Sequence, residues 1–122
     1  MCISEHDEQA ALCQWLDLTY PDVLYWATPN GAHLAGNARQ RAAKMNKLKA
    51  EGFLPGVADI FIAEPRGKWH GLFVEMKARG GTLTENQKWF LSEVARRGYM
   101  DAVCYGFDDA RGIVEDYLER KR

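Results

Sequence analysis

Two apolar stretches carry ionisable residues where a buried strand should carry none, and this constrains the chain more than any other feature. Residues 57–63, Val57-Ala58-Asp59-Ile60-Phe61-Ile62-Ala63, and residues 71–77, Gly71-Leu72-Phe73-Val74-Glu75-Met76-Lys77, both read as buried strands. Between them, residues 64–70 hold Pro65 and Gly67, which suits a hairpin connection and predicts an antiparallel pair. An unpaired charge is costly to bury, so Asp59, Glu75 and Lys77 require partners or a metal ion. Alternation along a strand puts Glu75 and Lys77 on one face, and Asp59 reaches the same place across the hairpin.

The surrounding sequence supplies helices. Residues 5–18 repeat apolar side chains at helical spacing through Ala11, Leu12, Trp15, Leu16 and Leu18, and stop before Tyr20-Pro21-Asp22. Residues 23–27 are a short apolar and aromatic strand ending at the turn Thr28-Pro29-Asn30-Gly31. Residues 37–51 are rich in helix formers and close on Gly52. Thr84-Glu85-Asn86-Gln87 has the form of a capping box and opens a helix with Phe90, Leu91, Val94 and Ala95 on its apolar face, ending at Gly98. A strand over 101–106 and a helix over 109–120 complete the chain. Strands alternating with helices around a central hairpin predict a single α/β domain over residues 1–122, with a mixed sheet covered by helices on both faces.

Composition excludes several classes. At 122 residues and 47% hydrophobic, the chain is long and apolar enough for one core and unlike a disordered protein. No apolar run has the length of a membrane span, and the first residues resemble no signal peptide, so a cytoplasmic location in a bacterium or a phage-infected cell is expected. Three scattered cysteines without a C-x-x-C pair predict neither disulfides nor a zinc site. A net charge of −1 conceals a local basic surface. Arg39, Arg41, Lys44, Lys47 and Lys49 place five cations within eleven residues that contain no acid. Such a helix suits contact with nucleic-acid phosphates, although a solvated helix rich in Lys and Arg explains the same residues.

The ionisable residues on the hairpin suit one chemistry. Two carboxylates beside the backbone carbonyl of Met76 offer the hard oxygen ligands that Mg²⁺ or Mn²⁺ prefers. An ammonium at Lys77 can lower the pKa of an attacking water or stabilise the charge of a phosphorane-like transition state. These are the requirements of phosphodiester hydrolysis. A salt-bridged cluster at strand ends is the alternative.

The spacing Asp-x(15)-Glu-x-Lys resembles the PD-(D/E)xK nucleases. The whole chain resembles the virus-type replication-repair nuclease (VRR-NUC) domain of the stand-alone phage and bacterial type. The blocks that carry this likeness are 5–9, Pro29-Asn30-Gly31, 47–52 leading into 55–59, 71–77, 80–87 and Gly98-Tyr99. Ala58 departs from the proline in the superfamily's name, at a position that is not a ligand.

The resemblance implies a restriction-endonuclease-like fold, with Asp59 and Glu75 as metal-binding carboxylates and Lys77 as the catalytic lysine. It also implies a first-helix glutamate at the metal site, and helical geometry favours Glu8 over Glu5, because Glu8 falls on the apolar face. A glutamate placed by the helix dipole is the simpler reading of that residue. Gln87 is expected to cap its own helix and, by the resemblance, to reach Lys77 or a water. Asn30 and Gly31 form a loop that approaches a phosphate or is an ordinary turn.

The expected function is a Mg²⁺- or Mn²⁺-dependent DNA endonuclease, selective for branched DNA such as four-way junctions and acting as a homodimer. Trp69, Trp89, Tyr99 and Tyr117 are candidates for the dimer interface. The competing functions are a non-catalytic DNA-binding module with the same fold, a restriction-type nuclease, and a housekeeping domain whose charges form a structural network.

Overall fold

The computed structural model describes residues 4–29 and 35–122. Among the described residues, four helices and four strands follow in the order α1 (Glu5–Thr19), β1 (Tyr25–Ala27), α2 (Ala38–Ala50), β2 (Ile60–Ile62), β3 (Leu72–Lys77), α3 (Glu85–Arg96), β4 (Met100–Tyr105) and α4 (Phe107–Leu118). The strands form one sheet in the order β1-β2-β3-β4, antiparallel at the first two pairings and parallel at the third. The mixed α/β sheet built on a hairpin is therefore present.

Alternation along the strands divides the core into two layers. Ile60, Ile62, Leu72, Val74, Met76, Ala102 and Cys104 face one side, where Leu12 and Leu16 of α1 and Ala110, Val114, Tyr117 and Leu118 of α4 bury them. Phe73 and Val103 face the other side and meet Phe90 and Leu91 of α3. Helices thus cover both faces of the sheet. Phe61, Glu75 and Lys77 have the parity of Phe73, so Glu75 and Lys77 lie on the α3 side, and Asp59, just before β2 begins, is joined to Glu75 by a hydrogen bond.

Beyond the hairpin, the loop between β2 and β3 is closed by reciprocal backbone hydrogen bonds of Arg66 and Trp69. The buried Arg66 guanidinium donates to the carbonyl of Leu118 at 3.0 Å, tying the turn to the end of α4. Tyr117 also reaches this region, donating its hydroxyl to the carbonyl of Glu64. Tyr117 is fully buried, and Tyr99 is half-buried among Phe61, His70 and Phe73. Trp69 is half-buried beside the ammonium of Lys68. Of the four aromatics expected in surplus, Trp89 alone is largely exposed, because the core is large enough to take up the others.

In contrast with the other helices, α2 buries none of its residues. Its ends are fixed locally. Asn37 and Gln40 form a capping box at the start, and Glu51 caps the end through its backbone. Arg41 and Lys44 donate to the carbonyls of Gly36 and Ala35, bracing the approach to the helix.

Candidate active site

The site forms where β2 and β3 part. Continuing their register would pair Asp59 with Glu75, yet β2 begins only at Ile60. At this row the side chains replace the backbone ladder. The backbone N–H of Asp59 donates to Glu75 Oε2 at 3.2 Å, and the N–H of Met76 donates to Asp59 Oδ2 at 2.7 Å. Each carboxylate accepts an amide of the opposite strand through one oxygen, and the other oxygen of Glu75 faces Lys77. The Asp59 carbonyl accepts from the N–H of Thr28 at 2.8 Å, which fixes its backbone from the β1 side.

Burial makes this pair electrostatically tense. Glu75 is 2% exposed. Its carboxyl is pushed up to about 8, first by loss of hydration and then by the neighbouring Asp59, against the opposing pull of Lys77. The Lys77 ammonium stands 4.0 Å from Glu75 Oε1 on the same face. A divalent cation fits such a place. It would replace the proton, neutralise both acids and take the oxygens that the amides leave free. Because N–H and C=O of one strand residue point the same way, the Met76 carbonyl also faces the gap opened beside Asp59.

The loop leading to Asp59 is positioned by Gly56. This residue has φ +90°, and a Cβ there would lie 2.6 Å from the backbone of Asn86 in α3. Only glycine permits that approach, which sets the strand entering Asp59 against the start of α3. The sequence signal was the Pro55-Gly56 pair, which marks a turn but not the contact that the turn makes.

A family model for the VRR-NUC domain matches residues 3–108. The chain belongs to the VRR-NUC domain family. A solved structure described as a VRR_NUC domain protein superposes with a TM-score of 0.82 at 21% identity, covering 99% of this chain and 93% of that one. That likeness is one of fold. No curated protein matches the chain. Membership in a nuclease family makes DNA the expected class of partner, and no helix among the described residues is long and apolar enough to cross a membrane.

Within this VRR-NUC domain, the remaining candidates fall in three places. Gln87 completes the capping box of α3: its Oε1 accepts the N–H of Thr84 at 2.9 Å, and its own N–H donates to Thr84 Oγ1 at 3.2 Å. Its amide group retains its donors. Glu8 lies in line with the buried Leu12 and Leu16, as helical spacing requires, but its Oε2 accepts the N–H of Phe107 at the start of α4. The chain thus uses Glu8 to cap a helix whose N-cap, Gly106, has no side chain to offer. Among the described residues, no group of three or more His, Cys, Asp or Glu side chains converges on one point, so Glu8 is not gathered with Asp59 and Glu75. Glu5 is exposed on the first turn.

Arg39, Arg41, Lys44, Lys47 and Lys49 are all exposed on α2. Asn30 and Gly31 lie outside the described residues.

Proposed function

We propose that this VRR-NUC domain is a divalent-cation-dependent endonuclease that cuts branched DNA, four-way junctions among them, as a homodimer. The observation that carries the reading is the pairing of Asp59 and Glu75 where the strands part, with Lys77 on the same face. In this reading Asp59, Glu75 and the Met76 carbonyl hold Mg²⁺ or Mn²⁺. A cation so held supplies Lewis acidity to a phosphate oxygen and to a water.

The protein's own groups do the rest. Lys77 presents its ammonium to the charge that develops on the phosphate and orients the attacking water. Gln87 uses its free amide donors to steady Lys77's surroundings, and Glu8 contributes at the cation through water when released from Phe107. The cations of α2 hold the phosphate backbone without reading sequence. Two-fold symmetry would supply a second site for the matching strand of a junction.

The test is cleavage of labelled single-stranded, duplex, flap and four-way DNA with Mg²⁺, with Mn²⁺ and with chelator. Cutting is expected with cation only, and best on branched substrates. Asp59→Ala, Glu75→Ala and Lys77→Ala are each expected to abolish cutting while retaining DNA binding. A folded variant among them that cuts at the wild-type rate overturns the assignment.

A further inference from the structure

Among the described residues, two aromatic rings on the catalytic face stand about half exposed. Trp26 is 48% exposed and Tyr105 is 46% exposed. The α3 helix covers the middle of this face at Phe73 and leaves the edge strands open. Trp26 stands opposite Phe61, with ring centroids 5.1 Å apart in an edge-to-face contact that holds the indole on the Asp59 side. Tyr105 stands opposite Lys77 and alternates with Val103, which packs under α3, so it shares that side. Its backbone is fixed by an N–H donated to Asp109 Oδ2 at 2.8 Å.

The register makes the arrangement symmetrical about the acids. The Asp59–Glu75 row lies two residues from the Trp26–Phe61–Phe73 row and two from the Lys77–Tyr105 row. With strands ~4.8 Å apart and ~3.3 Å per residue, the rings stand roughly 7 Å to either side of the carboxylates along the strands and roughly 20 Å from one another.

We infer that Trp26 and Tyr105 are stacking platforms for unpaired bases on either side of the scissile phosphate, supplied by a free strand or by pairs that open at a branch. This rests on the nuclease reading above. In an intact duplex the base faces are hidden in the stack, whereas the bases of a single strand are free to lie on aromatic rings. Exposed aromatic surface is unfavourable in water and gains from such an occupant. A second copy of the chain fits less well, because the rings straddle the acids instead of forming the continuous patch that a stable interface needs. The chain also reaches the first cation of α2, Arg39, thirteen residues after Trp26, which favours a polyanion.

The experiment is fluorescence anisotropy in chelator with a labelled oligothymidine strand and a labelled blunt duplex. Trp26→Ala and Tyr105→Ala are each expected to weaken strand binding roughly 10-fold and to leave duplex binding unchanged. Trp26→Phe keeps a flat face and should bind as wild type. Trp26→Leu keeps the apolar contact with Phe61 but has no flat face, and should repeat the loss. Equal weakening on both DNAs, an unchanged strand affinity, or dissociation of the variants into smaller species on sedimentation overturns the inference. Because the readout is binding, the rings are judged whether or not the wild type cuts, and a wild type that cuts while its alanine variants bind normally sinks the inference alone.

Discussion

Glu75 shows how one side chain links strand pairing, titration and cation chemistry. Its ordinary value of 4.5 rises to about 8 in the fold, so the folded state keeps a proton that the unfolded chain has already lost. Between those two values the folded state binds more protons, and stability without cation must fall as pH rises through that window. Glu75→Gln removes this dependence. Metal-free wild type is expected to melt roughly 5 °C or more lower at pH 8 than the Gln variant, with the gap closing toward pH 5. Thermal melts in chelator at several pH values check it, and a constant gap would mean that the carboxyl is ionised throughout. By the same linkage, Mn²⁺ should bind more tightly as pH rises toward 8 and release a proton on binding, which calorimetry in buffers of different ionisation enthalpy measures. The residue types and their face were legible in the sequence, because charge in an apolar strand demands a reason. The bonds from the Asp59 and Met76 amides to the Glu75 and Asp59 carboxylates were not, because they depend on where the strands separate.

The elements show why boundaries were harder to read than identities. Residues 57–63 read as one strand, but β2 spans only Ile60–Ile62, since the Asp59 and Met76 amides turn to carboxylates and Ala58 is buried in the layer beneath α3. The last helix was placed from Asp109, a good capping residue by type. It begins instead at Phe107, because Glu8 supplies the cap from the far end of the sequence and Asp109 accepts the Tyr105 N–H. No local pattern reveals a bond between residues 99 apart. Glu8→Ala should therefore destabilise the fold by about 1 kcal/mol, and Glu8→Gln, whose amide oxygen still accepts, should recover most of it. Denaturant unfolding measures both. A stable Glu8→Gln protein that no longer cuts would add a role at the cation to the cap, and an unaffected Glu8→Ala stability would remove the cap. By contrast, α3 was legible to its cap, because Thr84 forms a capping box with the nearby Gln87, whereas the Asn37 capping box of α2 was passed over for the helix formers that follow it. Changing Arg41, Lys44 and Lys47 of α2 together to Ala should weaken binding to all DNA sequences alike and flatten its salt dependence. Affinities at three salt concentrations decide it, and an unchanged slope places the helix away from DNA.

For the molecule as a whole, mixed strand direction and helices on both faces followed from the hairpin and the alternation of periods, and both are present. The surface was less legible. Trp26 and Tyr105 sit in runs that read as strands with no sign of which residues stay open, and they are exposed because each lies on an edge strand beyond the reach of α3. Dimerisation is the prediction that belongs here. Sedimentation at micromolar concentration is expected to show a dimer, and a cruciform plasmid should yield linear product in one encounter. Nicked circles accumulating first would indicate a monomer that cuts one strand at a time. The isolation of α2 carries a different consequence. A helix with no fully buried residue adds little to the core, so its exposed charges can be exchanged with little effect on the sheet that carries Asp59 and Glu75. On the proposed reading, in which α2 holds DNA and the hairpin cuts it, hold on DNA and integrity of the fold become separately heritable traits, and drift along this one helix retunes the first while the second is kept.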